Sequence, residues 1–336
     1  LFMNKIINSS KTIITDMIDG YLAISGDKFK KVDNTFGGIV KRNQKEKVAI
    51  VIGGGAGNEP WCLGYVGDGL ADGVSTGHVY VAPPAISILD VTKAVYNKKG
   101  VLFIANNHMG DVLNFELVKE LAILENIDTR CVFLNDDIAS DLKNIQNRRG
   151  VSGISILVKM AGAASEFLLS IDEVERIARE TNDNLRTIGV TTSQGYFPAN
   201  GKAMFELEDG MIEYGMGFNG EPGIIKENIT SAKNIVKKML DLLFDDMKIN
   251  NNEKIAVLLN GYGFTSTLEL CIVLKEIKDY IDNANINLHH LDLQQLFCPQ
   301  GTGGFSISVL KLNDELEKFY NYGANAPFYK REEILR

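Results

Sequence analysis

The stretch Val48-Ala-Ile-Val-Ile-Gly-Gly-Gly-Ala-Gly-Asn-Glu-Pro60 decides the fold. A run of mostly branched residues ends in four glycines within five positions, followed by Asn58, Glu59 and Pro60. Short apolar runs bounded by glycine read as buried strands. Glycine adopts positive φ and lets another molecule approach the main chain. The carboxyl end of such a strand is where an open α/β sheet holds small polar ligands. The side chain of Asn58 therefore decides between chemistry and binding alone.

Working outward, residues 101–105, 130–134 and 255–259 repeat the strand pattern. Helical patterns lie between them. Leu113, Leu117, Leu121 and Leu124 recur at spacings of four and three, which predicts a helix with these leucines on its inner face. Ser170 with Glu173 is a capping box opening a helix to about Thr181. Thr230 or Ser231 caps another, with Ile235, Val236, Met239, Leu240 and Leu243 inward. Strand–helix alternation implies α/β architecture with parallel strands. At 336 residues the chain is long for one core. The expectation is two α/β domains, residues 3–184 and 185–336, each with a largely parallel central sheet flanked by helices. The boundary falls near the polar break at 182–186, and 245–253 reads as a surface loop of the second domain.

Composition is that of a globular protein, with 45% hydrophobic and 23% charged residues. A net charge of −8 argues against a nucleic-acid footprint on this chain itself. Cys62, Cys131, Cys271 and Cys298 are scattered, as expected of reduced thiols in a cytoplasmic protein and not of a zinc site or disulfide frame. No run has the roughly 18 apolar residues of a membrane helix, and no secretory signal is visible. Leu1-Phe2 ahead of Met3 is expected to be an artificial addition and is set aside.

Three glycine-bearing polar loops are the places for chemistry: residues 53–60, 106–114 and 215–223. The first lacks the Lys-Ser/Thr pair of a phosphate-binding P-loop, and its Gly53-x-Gly55-x-x-Asn58 spacing misses the last glycine of the dinucleotide fingerprint. The plainer reading of this loop is a tight strand–helix turn.

The loops belong to a longer series: Gly53-Gly-Gly-Ala-Gly-Asn-Glu-Pro60, Gly64-Tyr-Val-Gly-Asp-Gly-Leu70, Gly110-Asp-Val-Leu-Asn-Phe-Glu116, Arg148-Arg-Gly-Val151, Gly162-Ala-Ala164, Gly217-Phe-Asn-Gly-Glu-Pro-Gly223 and Gly303-Gly-Phe-Ser-Ile307. In this order they resemble the K subunit of dihydroxyacetone kinase over essentially the whole chain. The resemblance implies two α/β domains, a homodimer, and a dihydroxyacetone site between glycine-rich loops. It further implies a histidine that adds covalently to the ketone, a second histidine and an aspartate that assist phosphoryl transfer, and a nucleotide carried by another subunit. On this chain the covalent histidine falls on Asn219, the glycine-loop histidine on Asn58, and a lysine on Asn106. The aspartate remains as Asp111.

A neutral imidazole has a basic nitrogen that titrates near neutrality. An amide nitrogen's lone pair is delocalised into its carbonyl, so asparagine neither adds to a ketone nor accepts a proton usefully at neutral pH. General-base help contributes roughly 10²–10⁴-fold in rate, so little catalysis is expected, and no cofactor or metal. Asparagine still donates and accepts hydrogen bonds. The candidate ligand contacts are the main chain at Gly54, Gly55 and Gly57 and the side chains of Asn58, Asn106, His108, Asp111 and Asn219. His108 is either a replacement nucleophile or base, or a locally bonded loop residue. Asp111 reads as a ligand contact, a helix N-cap, or both. Glu59 and Glu221 read as loop-fixing carboxylates, Arg148-Arg149 as a structural pair, and Trp61 as a pocket wall or core filler.

Three functions follow. The first is a sensor of dihydroxyacetone or a similar small ketone that pairs with a DNA-binding transcription regulator of the kinase operon, as the DhaQ-type members of the family do. The second is the working K subunit. The third is a degenerate paralogue with no ligand. The substitutions favour the first.

Overall fold

The computed structural model describes residues 4–33 and 35–335. Helix α1 (Ile13–Ser25) precedes β1 (Phe29–Lys31) and β2 (Gly38–Lys41), which lead into β3 (Ala49–Ala56) and β4 (Gly73–Val79). Helix α2 (Ala85–Val95), β5 (Val101–Asn106), α3 (Met109–Leu124) and β6 (Thr129–Leu134) follow. These strands form a sheet in the order β1-β2-β4-β3-β5-β6. The pairs from β4 to β6 are parallel, whereas β1 and β2 join antiparallel. Val51 and Phe103 pack on one face against Ile88, Val91, Phe115 and Val118 of α2 and α3. Helices α4 (Ile154–Glu166) and α5 (Ile171–Asp183) pack on β3, β5 and β6. Every residue of β5 is buried, which is why such strands read as unbroken apolar runs.

The second sheet contains β7 (Leu185–Ser193), β8 (Met211–Tyr214), β9 (Ile225–Asn228), β10 (Lys254–Gly261), β11 (Asn287–Gln294) and β12 (Gly303–Leu312), in the order β11-β10-β12-β7-β8-β9. Helices α6 (Ala232–Met247) and α7 (Thr267–Asn283) cover one face through Val236, Met239, Leu240, Val273 and Ile277. The cap of α6 is Ser231, whose Oγ accepts from the Asn234 amide at 3.3 Å. The fold is thus α/β with two six-stranded sheets flanked by helices. The largely parallel pairing expected of both sheets describes the first; in the second only β10–β11 is parallel. Here β12 returns beside β10 and β7 without a helical crossover between parallel neighbours.

The chain forms two compact units, and neither is continuous in sequence. Among the described residues, one contains 7–33, 35–134, 154–183 and 315–335; the other contains 4–6, 135–153 and 184–314. A single cut between 184 and 185 therefore does not describe the division. The Asp136 carboxylate receives the Val151 and Gly153 amides at 2.8 and 3.0 Å, and its carbonyl receives the Thr187 amide of β7. These bonds hold 135–153 to the second sheet. At the other end, Lys159 of α4 donates to the Phe319 and Tyr320 carbonyls of α8 (Asp314–Asn321), which returns most of α8 to the first unit.

Helix α3 turns the opposite way from the leucine periodicity. Its buried residues are Asp111, Phe115, Val118 and Ala122. Leu113, Leu117 and Leu124 are exposed, while Leu121 only flanks the core. The aromatic side of the helix takes the core and leaves the leucine stripe outside.

Candidate functional site

The glycine run does not leave the sheet where the sequence reading placed a loop. Gly53, Gly54 and Gly55 remain in β3; Gly53 and Gly54 pair with β4, and Gly55 sits at a register shift, beyond the last pair with β5 at Ile52. A Cβ on Gly55 would lie 2.7 Å from the Val81 amide nitrogen, so only glycine lets the two segments meet. Gly57 has φ +115, and a Cβ there would meet the Tyr80 ring at 2.6 Å. The Gly57 amide donates to Glu59 Oε1 at 2.8 Å, and the Tyr80 hydroxyl to the Gly57 carbonyl at 3.2 Å. Glu59 is thus a loop-fixing carboxylate. Trp61 is buried below Gly54, with its ring edge-on to Tyr65 at 5.3 Å, and so fills core.

Strand β3 has β4 on one side and β5 on the other; the chain leaves β3 toward β4 and leaves β5 toward β6, in opposite directions. This is a topological switch point, where open parallel sheets bind ligands beyond their carboxyl ends. The fold brings Asn58, Asn106 and Asp111 to this edge. Asn58 follows β3 directly, Asn106 ends β5, and Asp111 lies in the first turn of α3. All three are buried, and the Oδ1 of each has no hydrogen-bond partner among the described residues. A buried polar group without a partner costs on the order of 1–3 kcal/mol, and each of the three oxygens has the capacity to accept a hydrogen bond. Ser75 of β4, opposite Gly53 in the register, adds a buried Oγ of the same kind. The sequence reading passed over Ser75, which stands beside Thr76 in the Gly-Val-Ser-Thr-Gly-His-Val run of β4 with nothing local to single it out.

Asp111 is 8% exposed, and burial pushes its carboxyl up to about 7. A helix's first turn favours an anion, but here desolvation wins. Near neutrality the group therefore holds its proton about half the time and can donate to, or accept from, a bound hydroxyl. Asp111 is not the N-cap; His108 holds that position, makes no side-chain capping bond, and is half-buried. The His108 amide donates to the Asn106 carbonyl at 2.8 Å, which sets the turn from β5 into α3. The Cys62 thiol lies 4.0 Å from the Gly54 carbonyl and is pushed up by burial, so it is no nucleophile.

Asn219 belongs to the other unit and is described there alone. It is exposed on the turn between β8 and β9. Its amide and Nδ2 donate to Glu221 at 3.0 and 3.2 Å, so Glu221 fixes this loop as Glu59 fixes the first. Phe218 anchors the turn against Phe297 and Tyr262, with ring centroids at 4.5 and 5.3 Å. Arg149 reaches Asp137 at 2.9 Å and the Gly215 carbonyl at 3.2 Å, while Arg148 forks onto Asp246 at 2.9 and 2.5 Å. Both arginines are structural.

The architecture and these side chains define a class: an α/β protein with a buried, unsatisfied polar cluster at the carboxyl edge of a parallel sheet. A family model described as the Dak1 domain matches residues 19–328, and the chain belongs to that family of dihydroxyacetone kinase-like proteins. It is 32% identical over 330 residues to the dihydroxyacetone-binding subunit DhaK of PTS-dependent dihydroxyacetone kinase 2 from Listeria innocua, covering 98% of this chain and 99% of that one. It is also 32% identical over 313 residues to the DhaK subunit of Lactococcus lactis, covering 93% and 94%. Among solved structures it resembles one described as the dihydroxyacetone kinase operon co-activator Dha-DhaQ, with a TM-score of 0.88, 26% identity, and 98% and 100% of the two chains covered. No helix among the described residues is long and apolar enough to cross a membrane.

Proposed function

We propose that this protein is a non-catalytic sensor of dihydroxyacetone, or of a similar small hydroxyketone, and a coactivator of a DNA-binding transcription regulator of a dihydroxyacetone kinase operon. The observation that carries the reading is the chemistry at three positions. Carboxamides at Asn58, Asn106 and Asn219 stand where the resembled subunit has two imidazoles and an ammonium group. The buried Asp111 is kept with an unsatisfied oxygen. Asn58, Asn106 and Asp111 hold a hydroxylated ligand by reversible hydrogen bonds; the carboxamides supply neither a nucleophile nor a base, which leaves Asp111 alone among these three to exchange a proton near neutrality, without an imidazole beside it. Gly54, Gly55 and Gly57 offer main chain to the ligand, and His108 positions the turn that carries Asp111. The protein works in the cytoplasm as a homodimer and leaves DNA to its partner, in keeping with its net charge of −8.

A second reading, the working substrate-binding subunit of a phosphotransferase-system-dependent kinase, draws on the names of the 32%-identical relatives. A coupled kinase assay with the nucleotide-bearing and phosphoryl-donor subunits separates the two. The sensor reading expects saturable dihydroxyacetone binding by calorimetry together with no phosphate transfer above background. Turnover at the rate of a competent subunit would overturn it, and so would absence of any binding.

A further inference from the structure

Helix α3 is apolar on two opposite sides. Its inner side, Phe115 and Val118, is packed in the core of the first unit. Its outer side carries Met109, Leu113, Leu117 and Leu124 at 76, 61, 50 and 79% exposure. A helix that is apolar all round belongs in an interior, and contiguous exposed apolar surface marks an interaction site. Leu113, Leu117, Glu120 and Leu124 follow spacings of four, three and four, the seam positions of a helix that pairs with another helix. Within that seam Glu120 is exposed and makes no ion pair among the described residues, whereas Glu116 beside it is tied to Lys119 at 3.2 Å.

We infer that the outer face of α3 is the docking surface for an amphipathic helix of a partner protein, one that offers an apolar seam and a basic residue opposite Glu120. The charge chooses the occupant. Two copies of α3 packed antiparallel about a two-fold axis would bring both Glu120 carboxylates into adjacent layers of one apolar seam, while the one cation of the helix, Lys119, is tied to Glu116. Burying unpaired charges is strongly unfavourable. A lysine or arginine on a different chain converts the same glutamate into a register-setting ion pair. The same helix carries Asp111 on its buried side, one turn before Phe115. A small shift of α3 on ligand binding would therefore reach the docking face directly. This last link rests on the sensor reading; the docking surface itself does not.

The test uses the full-length protein, without small ligand, and two labelled helical peptides with one leucine seam, one flanked by lysine and the other by glutamate. Fluorescence anisotropy should show the lysine peptide binding at least about tenfold more tightly. Leu117→Glu should abolish binding, and Glu120→Lys should reverse the preference between peptides. Sedimentation velocity should show the same oligomeric state for wild type, Leu117→Glu and Glu120→Lys. Failure of both peptides to bind, an unchanged preference in Glu120→Lys, or dissociation of a wild-type oligomer by Leu117→Glu would each overturn the proposal, the last by giving the face to a second copy. Because no ketone is present, none of these results bears on whether the site binds one, which the calorimetry above decides.

Discussion

Replacing Asp111 with asparagine should stabilise the protein, by an amount that depends on pH in a way the burial of this group dictates. In the folded chain burial pushes the carboxyl from its ordinary 3.8 to about 7. The folded state therefore keeps the proton over a range in which the unfolded chain releases it. Below about pH 4 both states are protonated and Asp111 costs nothing. From there to about pH 7 each unit of pH removes about 1.4 kcal/mol of stability, and above pH 7 the loss is complete. The interval from 3.8 to about 7 is roughly three pH units, or about 4 kcal/mol in all. Asparagine has nearly the shape of the protonated acid and does not titrate. Urea unfolding of wild type and Asp111→Asn at several pH values should give curves that nearly coincide at pH 4 and diverge to a plateau at pH 8, with the variant the more stable. A stability difference that does not change between pH 4 and pH 8 would refute the argument, because it would mean that the carboxyl is not desolvated in the folded state.

Other consequences can be checked separately. Dihydroxyacetone, if its hydroxyl donates to the Asp111 carboxylate, should bind more tightly as pH rises through 7 and release a fraction of a proton, visible as a calorimetric enthalpy that varies with buffer. Phe115→Ala should cost about 3–5 kcal/mol and Leu117→Ala less than about 0.5 kcal/mol, a contrast in thermal melts that tests which side of α3 is buried. Gly57→Ala should lose on the order of 1–3 kcal/mol through its forced positive φ, with ligand affinity falling further than stability alone explains. Restoring the basic groups with Asn58→His, Asn106→Lys and Asn219→His together should raise phosphate transfer in the coupled assay by at least about 10²-fold over wild type.

Parts of the fold were open to reading because burial leaves a plain signature. The runs at 101–105, 130–134 and 255–259 lie in strands, as does 48–52 apart from Val48, and Ser170 with Glu173 caps α5 as the spacing predicts, the Ser170 amide donating to Glu173 at 3.0 Å. What escaped depended on contacts distant in sequence. Nothing near Gly53 says that β4 and the 80–81 segment will press against it and hold the glycines in the strand. Periodicity alone could not tell which of two apolar sides of α3 would meet β5. The antiparallel return of β12 and the attachment of 135–153 through Asp136 are equally long-range. At the candidate site, Asn106 and Asp111 could be named in advance only through the resemblance to the K subunit, and Asn58 through that resemblance and its place after the glycine run. Ser75 and the bond from Asn219 to Glu221 needed the folded chain.

The energetics of this edge bear on what the protein is for. Asp111 alone costs about 4 kcal/mol at pH 8 by the reckoning above, against a typical total stability of 5–15 kcal/mol. The bare oxygens of Asn58, Asn106 and Ser75 add to that cost. A chain that had lost both its imidazoles and its ligand would gain stability from any apolar or smaller residue at these places, and most such changes are single substitutions. Strain of this size persists where something relieves it. On the sensor reading proposed above, the relief is a bound molecule with hydroxyl donors, since each hydroxyl would pair an oxygen that is otherwise bare. The same reasoning sets a requirement on the ligand. It must place donors at this edge, and the two hydroxyls of dihydroxyacetone can pair two of the three oxygens at Asn58, Asn106 and Asp111, so removing one hydroxyl should cost at least about tenfold in affinity. Acetone, which has no hydroxyl, should not bind measurably. Equal binding of dihydroxyacetone and acetone in one calorimetric series would show that these oxygens are satisfied in some other way, and the argument from their cost would fall.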